Sequence, residues 1–259
     1  MTPDQLLQRL ADDPSRTGLL FDCDGTLAPI VEDPSTSALP AGLDGVLADL
    51  AARFGLMAII SGRPASFLGE RAAVPGATLL GLYGLERLRG GQVEPLPDAV
   101  AWQAAAREAG RRLADGLAGD EGVHLEDKGL SVAVHWRRAP DRDAAARRVV
   151  RLVERVAAST GLAREPGKFV EELRPPVDCD KGTAVRAAVG DADLALLAYF
   201  GDDRGDLPAF AAVRDLGGLG VAVGHGTETA EEVRASADVV LDGTEALGDL
   251  LRRLAERVW

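Results

Sequence analysis

Two aspartates separated by a single residue, Asp22 and Asp24, follow an apolar run in Leu20-Phe21-Asp22-Cys23-Asp24-Gly25-Thr26. This places two carboxylates at the carboxyl end of a strand, the edge where open α/β sheets bind ligands. The fragment also suits an Asp-Gly turn in which Asp24 only supports the backbone. It does not suit a calcium loop, because the third ligand position and closing Glu of an EF-hand are missing and a strand precedes it. Farther along, Gly201-Asp202-Asp203-Arg204-Gly205-Asp206 holds three carboxylates after another apolar run. Gathering Asp22 and Asp24 near Asp202 and Asp206 would raise carboxylate pKa values unless a cation compensates, and an all-oxygen site of that kind suits Mg2+. Taken alone, the second fragment also fits a solvated acidic loop capping a helix that begins near Leu207.

Two further fragments supply what a phosphate needs. Ser61-Gly62-Arg63-Pro64 follows an apolar run directly, and Asp180-Lys181-Gly182-Thr183 opens a helical pattern. The Ser61 hydroxyl, exposed backbone N–H groups at Ser61 and Gly62, and the Lys181 ammonium could hold phosphoryl oxygens as charge develops. The plainer alternatives are an ordinary helix cap for Ser61 and a surface position for Lys181. Lysine is itself rare: 26 of the 29 basic residues are arginine, leaving only Lys128, Lys168 and Lys181. Either these survive by chance or they sit where a compact, rotatable ammonium does what a planar guanidinium cannot.

The elements that must position these groups are legible as periodicity. Short apolar runs at 18–21, 56–60, 78–83, 194–200, 219–223 and 238–241 alternate with helical patterns at 43–54, 64–72, 181–189, 207–213, 228–235 and 244–257. This alternation predicts an α/β fold with a doubly wound, Rossmann-like parallel sheet. Between about residues 98 and 175 it breaks. A helical stretch at 99–117, strand pairs at 123–127 with 130–136 and at 162–165 with 169–173, and an arginine-rich helix at 141–158 predict an inserted α+β unit bracketed by prolines. The expected organisation is a core of 1–97 and 176–259 with an insertion at 98–175.

Composition excludes several classes. With 259 residues, 46% of them hydrophobic, the chain can bury a sizeable core. Its longest uncharged run, 72–85, is interrupted by Pro75 and Gly76 and is too short to span a bilayer. A net charge of −12 argues against nucleic acid or an anionic membrane as partner. A small phosphorylated ligand, needing only a local pocket of donors, stays open. The opening residues lack the basic-then-apolar order of a secretion signal, and two cysteines make no disulfide framework, so a cytoplasmic protein is expected.

Taken together and in order, the four fragments DxDGT, SGR, DKG and GDDxxD resemble the motifs of the haloacid dehalogenase superfamily of phosphohydrolases. The placement of the insertion resembles the branch whose α/β cap covers a sugar phosphate. Within that branch the chain is most similar to the trehalose-6-phosphate phosphatase family, through 20–30, the Gly81-Leu82-Tyr83-Gly84-Leu85-Glu86 segment, and insertion segments at 126–137 and 167–175. The resemblance implies Asp22 as nucleophile and Asp24 as general acid and base. It also implies Mg2+ held by Asp22, Asp202 and the Asp24 backbone carbonyl, and phosphate held by Ser61, Gly62 and Lys181. Sugar hydroxyls would fall to Glu126, Lys128, Lys168 and Glu172, with Thr26, Arg63, Asp203 and Asp206 in support. Two departures stand out: Tyr83 occupies a position where many members carry histidine, and Gly205-Asp206-Leu207-Pro208 replaces a common Thr-Asp-Glu-Asp. Sucrose phosphate and mannosyl-3-phosphoglycerate are rival substrates, and a non-catalytic sugar-phosphate sensor is a rival class.

Overall fold

A computed structural model describes residues 1–31, 33–226 and 229–259. In chain order the elements are α1 (Pro3–Asp12), β1 (Thr17–Phe21), α2 (Leu43–Ala51), β2 (Leu56–Ile60), α3 (Ala65–Arg71), β3 (Thr78–Gly81), β4 (Glu86–Arg89) and β5 (Gln92–Pro95). There follow α4 (Pro97–Val100), α5 (Gln103–Gly116), β6 (His124–Asp127), β7 (Val132–His135), α6 (Arg142–Thr160), β8 (Ala163–Gly167) and β9 (Val170–Arg174). The chain ends in α7 (Lys181–Val189), β10 (Leu196–Gly201), α8 (Leu207–Asp215), β11 (Leu219–Gly224), α9 (Glu231–Ser236), β12 (Val239–Asp242) and α10 (Gly243–Arg257). Contacts divide them into one unit of Met1–Glu94 with Cys179–Trp259 and a second of Pro95–Asp178.

The first unit is built on a sheet of order β12-β11-β10-β1-β2-β3-β4-β5, parallel from β12 to β3 and antiparallel at β3–β4. Its central strands are apolar at successive positions because both faces are covered, as parallel strands require. Leu19 and Phe21 face the layer of α1, α2 and α10 through Leu10, Leu47 and Leu251, whereas Leu20 and Tyr199 face that of α7 and α8 through Val185 and Phe210. The chain steps outward from β1 to β2 and β3, then returns to pair β10 on the other flank of β1. The β1–β10 crevice is therefore the point where winding reverses, the usual ligand site of such sheets.

The second unit is a four-stranded antiparallel sheet, β6-β7-β9-β8, covered by α5 and α6. Val132, Val134 and Leu173 from the sheet meet Leu113 of α5 and Val149 and Val153 of α6 in a core of their own.

Several expectations need correction. β3 stops at Gly81 rather than running to Tyr83, because Leu82 and Tyr83 turn the chain with φ values of 49° and 61°. The β4–β5 hairpin has no counterpart in the apolar periodicity, since Glu86-Arg87-Leu88-Arg89 and Gln92-Val93-Glu94-Pro95 carry no apolar run. The single helix expected at 99–117 is two, parted at Ala101 and Trp102. Of the helix expected at 228–235, Glu228 lies outside the described residues and α9 begins at Glu231.

Candidate active site

Strand register alone brings the motifs to one edge. Phe21 is level with Phe200 on one side and with Ile59 on the other, so the next residues, Asp22, Gly201-Asp202 and Ile60-Ser61, leave the sheet together. The Asp22 N–H continues the ladder by donating to the Phe200 carbonyl at 2.8 Å, and Ser61 N–H donates to Leu80 at 3.0 Å. Gly25 then bends the chain with φ +81°, and a side chain there would run into the Asp202 carboxylate. Only glycine allows both the turn and the approach. Thr26 Oγ1 donates to Asp202 Oδ1 at 3.1 Å.

Lys181, the first residue of α7, is not a surface lysine. Asp180 caps the helix through Thr183 N–H, and the Lys181 side chain is 5% exposed, with Nζ 2.9 Å from Asp22 Oδ2 and 2.7 Å from Asp206 Oδ1. Asp206 is wholly buried. Its Oδ1 also accepts Tyr199 OH at 2.7 Å, and its Oδ2 accepts the N–H groups of Asp202 and Asp203 at 2.9 and 3.0 Å. Four donors fill the four lone-pair positions of a carboxylate. Asp203 in turn caps the short helix at 204–206 by accepting Gly205 N–H at 2.8 Å.

The charge balance follows from this crowding. Burial, with Asp206 and Asp202 nearby, pushes Asp22 well above the usual carboxylate range despite Lys181. Burial and the charges of Asp206 and Asp203 push Asp202 up to about 7, and burial raises Asp203 as well. For Lys181, burial opposes the charge, but Asp206 and Asp22 outweigh it and keep the ammonium protonated. One buried cation thus faces several carboxylates, and the cluster has room for more positive charge.

The Ser61-Gly62-Arg63 loop is wrapped by the segment that follows β3. Leu82 N–H donates to Arg63 O at 2.8 Å and Tyr83 N–H to Ser61 O at 2.9 Å. The Tyr83 ring lies against Gly62, where an added Cβ would stand 2.7 Å from its Cζ and Oη. Glu86, rather than Ser61, satisfies the start of α3 by accepting Ala65 N–H at 2.9 Å. Ser61 Oγ instead accepts Arg63 N–H at 3.2 Å in a local turn. Arg63, lying over the Phe67 ring, holds Asp24 through Nε at 2.7 Å and a second nitrogen at 3.3 Å, while Ser37 Oγ donates to Asp24 at 2.6 Å.

In the second unit, Glu172 accepts Lys128 Nζ at 3.0 Å and Ser131 Oγ at 2.5 Å, and Glu126 pairs with His135 Nε2 at 2.9 Å. These residues share β6, β7, β9 and the β6–β7 turn, where Ala133 is level with both Glu126 and Glu172. Lys168 is exposed at the β8–β9 turn, outside this network.

Residues 20–242 match the sequence pattern of a family described as Trehalose-phosphatase. The chain belongs to the trehalose-phosphatase family. It is 31% identical to the trehalose-6-phosphate phosphatase of Escherichia coli over 91% of this chain and 88% of that protein. A Mycobacterium tuberculosis protein named as an uncharacterized glycosyl hydrolase is 36% identical over 81% of this chain, which spans only 16% of that protein's length. Among solved structures, a trehalose-6-phosphate phosphatase related protein superposes with a TM-score of 0.77 at 26% identity, covering 92% of this chain and 97% of that one. A Bacteroides thetaiotaomicron phosphatase of the haloalkanoate (HAD) superfamily shares the fold, with a TM-score of 0.55 at 19% identity over 92% of this chain and 94% of that one.

The site fits the divalent cation expected of a trehalose-phosphatase family member. Asp22, Asp202 and Asp206 each place an oxygen within 4.8 Å of the others. Asp206 is saturated by its four donors, so Asp22 and Asp202 are the carboxylates with capacity left. The donor set is all oxygen and over-supplied with negative charge, which suits a hard cation. Three contributors escaped the sequence reading. Tyr199 passed as an apolar strand residue, Ser37 sits in a loop without a motif, and His225, the first residue after β11 at the ligand edge, had only that position to signal it.

Proposed function

We propose that this chain hydrolyses trehalose 6-phosphate to trehalose and phosphate through an aspartyl-phosphate on Asp22. The observation that carries the reading is the buried Asp22–Lys181–Asp206 chain in the β1–β10 crevice, beside Ser61 and Asp202. An Asp22 oxygen attacks phosphorus as the phosphorus–sugar oxygen bond breaks, and Asp24 gives its proton to the departing oxygen. Asp24 then takes a proton from the water that attacks phosphorus, releasing phosphate and restoring Asp22. Both Asp24 oxygens accept hydrogen bonds from Arg63 and Ser37 in the structure, so acting as the acid requires Asp24 to exchange those contacts for a proton. Lys181 stays charged and, with Ser61 Oγ and the Gly62 N–H, meets the phosphoryl oxygens.

Asp22, Asp202 and the Asp24 main-chain carbonyl would hold Mg2+, which when bound would offset the negative charge of nucleophile and phosphate. Phosphate monoesters demand a barrier reduction of order 20 kcal/mol or more, which the carboxylates alone do not provide. Residues 98–175 act as the specificity cap, with Glu126, Lys128, Lys168 and Glu172 toward sugar hydroxyls. Neither Cys23 nor Cys179 forms a disulfide, which suits a cytoplasmic enzyme. The test is phosphate release from trehalose 6-phosphate, sucrose phosphate, mannosyl-3-phosphoglycerate and glucose 6-phosphate, with Mg2+ and with a chelator. A preference for trehalose 6-phosphate that needs Mg2+ supports the reading, preference for another ester refutes the substrate, and no release from any refutes the enzyme.

A further inference from the structure

The loop after β11 reaches into the site from a strand that carries none of the four motifs. His225 Nε2 lies 2.7 Å from the Gly25 carbonyl oxygen. A carbonyl only accepts, so the proton is on Nε2 and His225 is the donor. The same nitrogen is 3.6 Å from Asp202 Oδ2, too far for a hydrogen bond. The His225 N–H donates to Thr229 Oγ1 at 2.6 Å, which secures the histidine to its own loop.

These contacts surround the Asp202 carboxylate. Gly25 lies against it, Thr26 donates to Oδ1, and His225 stands beside Oδ2 without taking its lone pairs. Because Nε2 spends its proton on Gly25, it offers no lone pair to a cation and leaves Oδ2 available. Gly25 holds a left-handed turn between Asp24 and Thr26, and its carbonyl is the grip by which β11 holds that turn.

We propose that His225 is a positioning residue for the metal-binding carboxylate: by donating to the Gly25 carbonyl it fixes the Asp24–Thr26 turn against which Asp202 is oriented. This rests on the reading above that Asp22 and Asp202 hold Mg2+. Groups that orient metal ligands indirectly are commonly worth about 10–100-fold in metal affinity. The role needs a donor at the distance of Nε2, which distinguishes two amides of equal chemistry. The glutamine N–H reaches that position and the asparagine N–H does not.

The experiment is calorimetric titration of the full chain with Mg2+ at fixed pH for wild type, His225→Gln, His225→Asn and Asp202→Ala, with thermal melting of each without metal. The expected result is about tenfold weaker Mg2+ binding in His225→Asn and binding within about threefold of wild type in His225→Gln. Equal affinities in the two amide variants overturn the proposal, as does an asparagine variant that loses thermal stability but keeps wild-type affinity. Unchanged Mg2+ binding in Asp202→Ala instead overturns the underlying metal reading.

Discussion

Asp206 Oδ1 accepts Lys181 Nζ at 2.7 Å across 25 residues of sequence, and the remaining acceptor positions of the same carboxylate bind Tyr199 and two backbone N–H groups. The last aspartate of the acidic loop is thereby an internal strut, which holds the ammonium beside Asp22 and shapes the loop that presents Asp202. Asp206→Asn places an N–H₂ group among donors and leaves Lys181 with less compensation. The expected cost is about 3–5 kcal/mol in denaturant unfolding, as for breaking a buried pair, against about 1 kcal/mol for Tyr199→Phe. Equal, small losses in the two variants would contradict the strut.

Asp22→Asn is expected to reduce turnover at least 1,000-fold, on the order of removing an essential nucleophile, because an amide cannot form the acyl phosphate. Its melting temperature should not fall, since Asp22 is raised by burial and neighbouring carboxylates, and neutralising it relieves that repulsion. Phosphate release near the wild-type rate, with deamidation excluded by mass spectrometry, would refute the assignment.

The metal-free fold should weaken as pH rises, and Mg2+ should reverse this. Asp202 is raised to about 7 in the fold, so its contribution is present below the unfolded carboxylate value and is lost as pH rises through about 7. A cation binds the ionised form and releases protons. The increase in melting temperature on adding Mg2+ should therefore be larger at pH 8 than at pH 6, and an equal or opposite trend would count against the cluster as the metal site.

Gly62→Ala should disturb the phosphate loop through one ring. The added methyl meets Tyr83 at 2.7 Å, so activity on p-nitrophenyl phosphate should drop about tenfold or more, corresponding to ~1.4 kcal/mol or more. Tyr83→Ala in the same chain should recover part of that loss. Strictly additive losses in the double variant would show that the ring is not the obstacle.

Truncating Lys128 or Glu172 should lower kcat/KM for trehalose 6-phosphate about tenfold or more, since losing a hydrogen bond to a charged group costs ~1.5–3 kcal/mol. The small ester p-nitrophenyl phosphate should be much less affected. Parallel losses on both substrates would refute a division of labour between core and insertion.

Much of the fold was readable because it is locally encoded. Apolar runs of strand length, alternating with helical periodicity, are properties of a few consecutive residues, and β2 and α7 occupy the predicted 56–60 and 181–189. The chemical groups were readable for the same reason, since Asp22, Ser61 and Asp202 are placed by the strand ends they follow. What the local pattern left open was which alternative each group takes. The solvated acidic loop, the surface lysine and the helix-capping serine were excluded only when parallel register brought Asp206 under Lys181 and the chain after β3 around Ser61. His225 meets Gly25 across 200 residues, and Arg63 meets Asp24 across 39. Such contacts depend on the order and stagger of strands, and no window of neighbouring residues contains that information. The sequence by itself therefore determined the doubly wound sheet and the groups at its ligand edge, while the tertiary structure alone decided which carboxylates are saturated, which stay available to a cation, and which residues hold them in place.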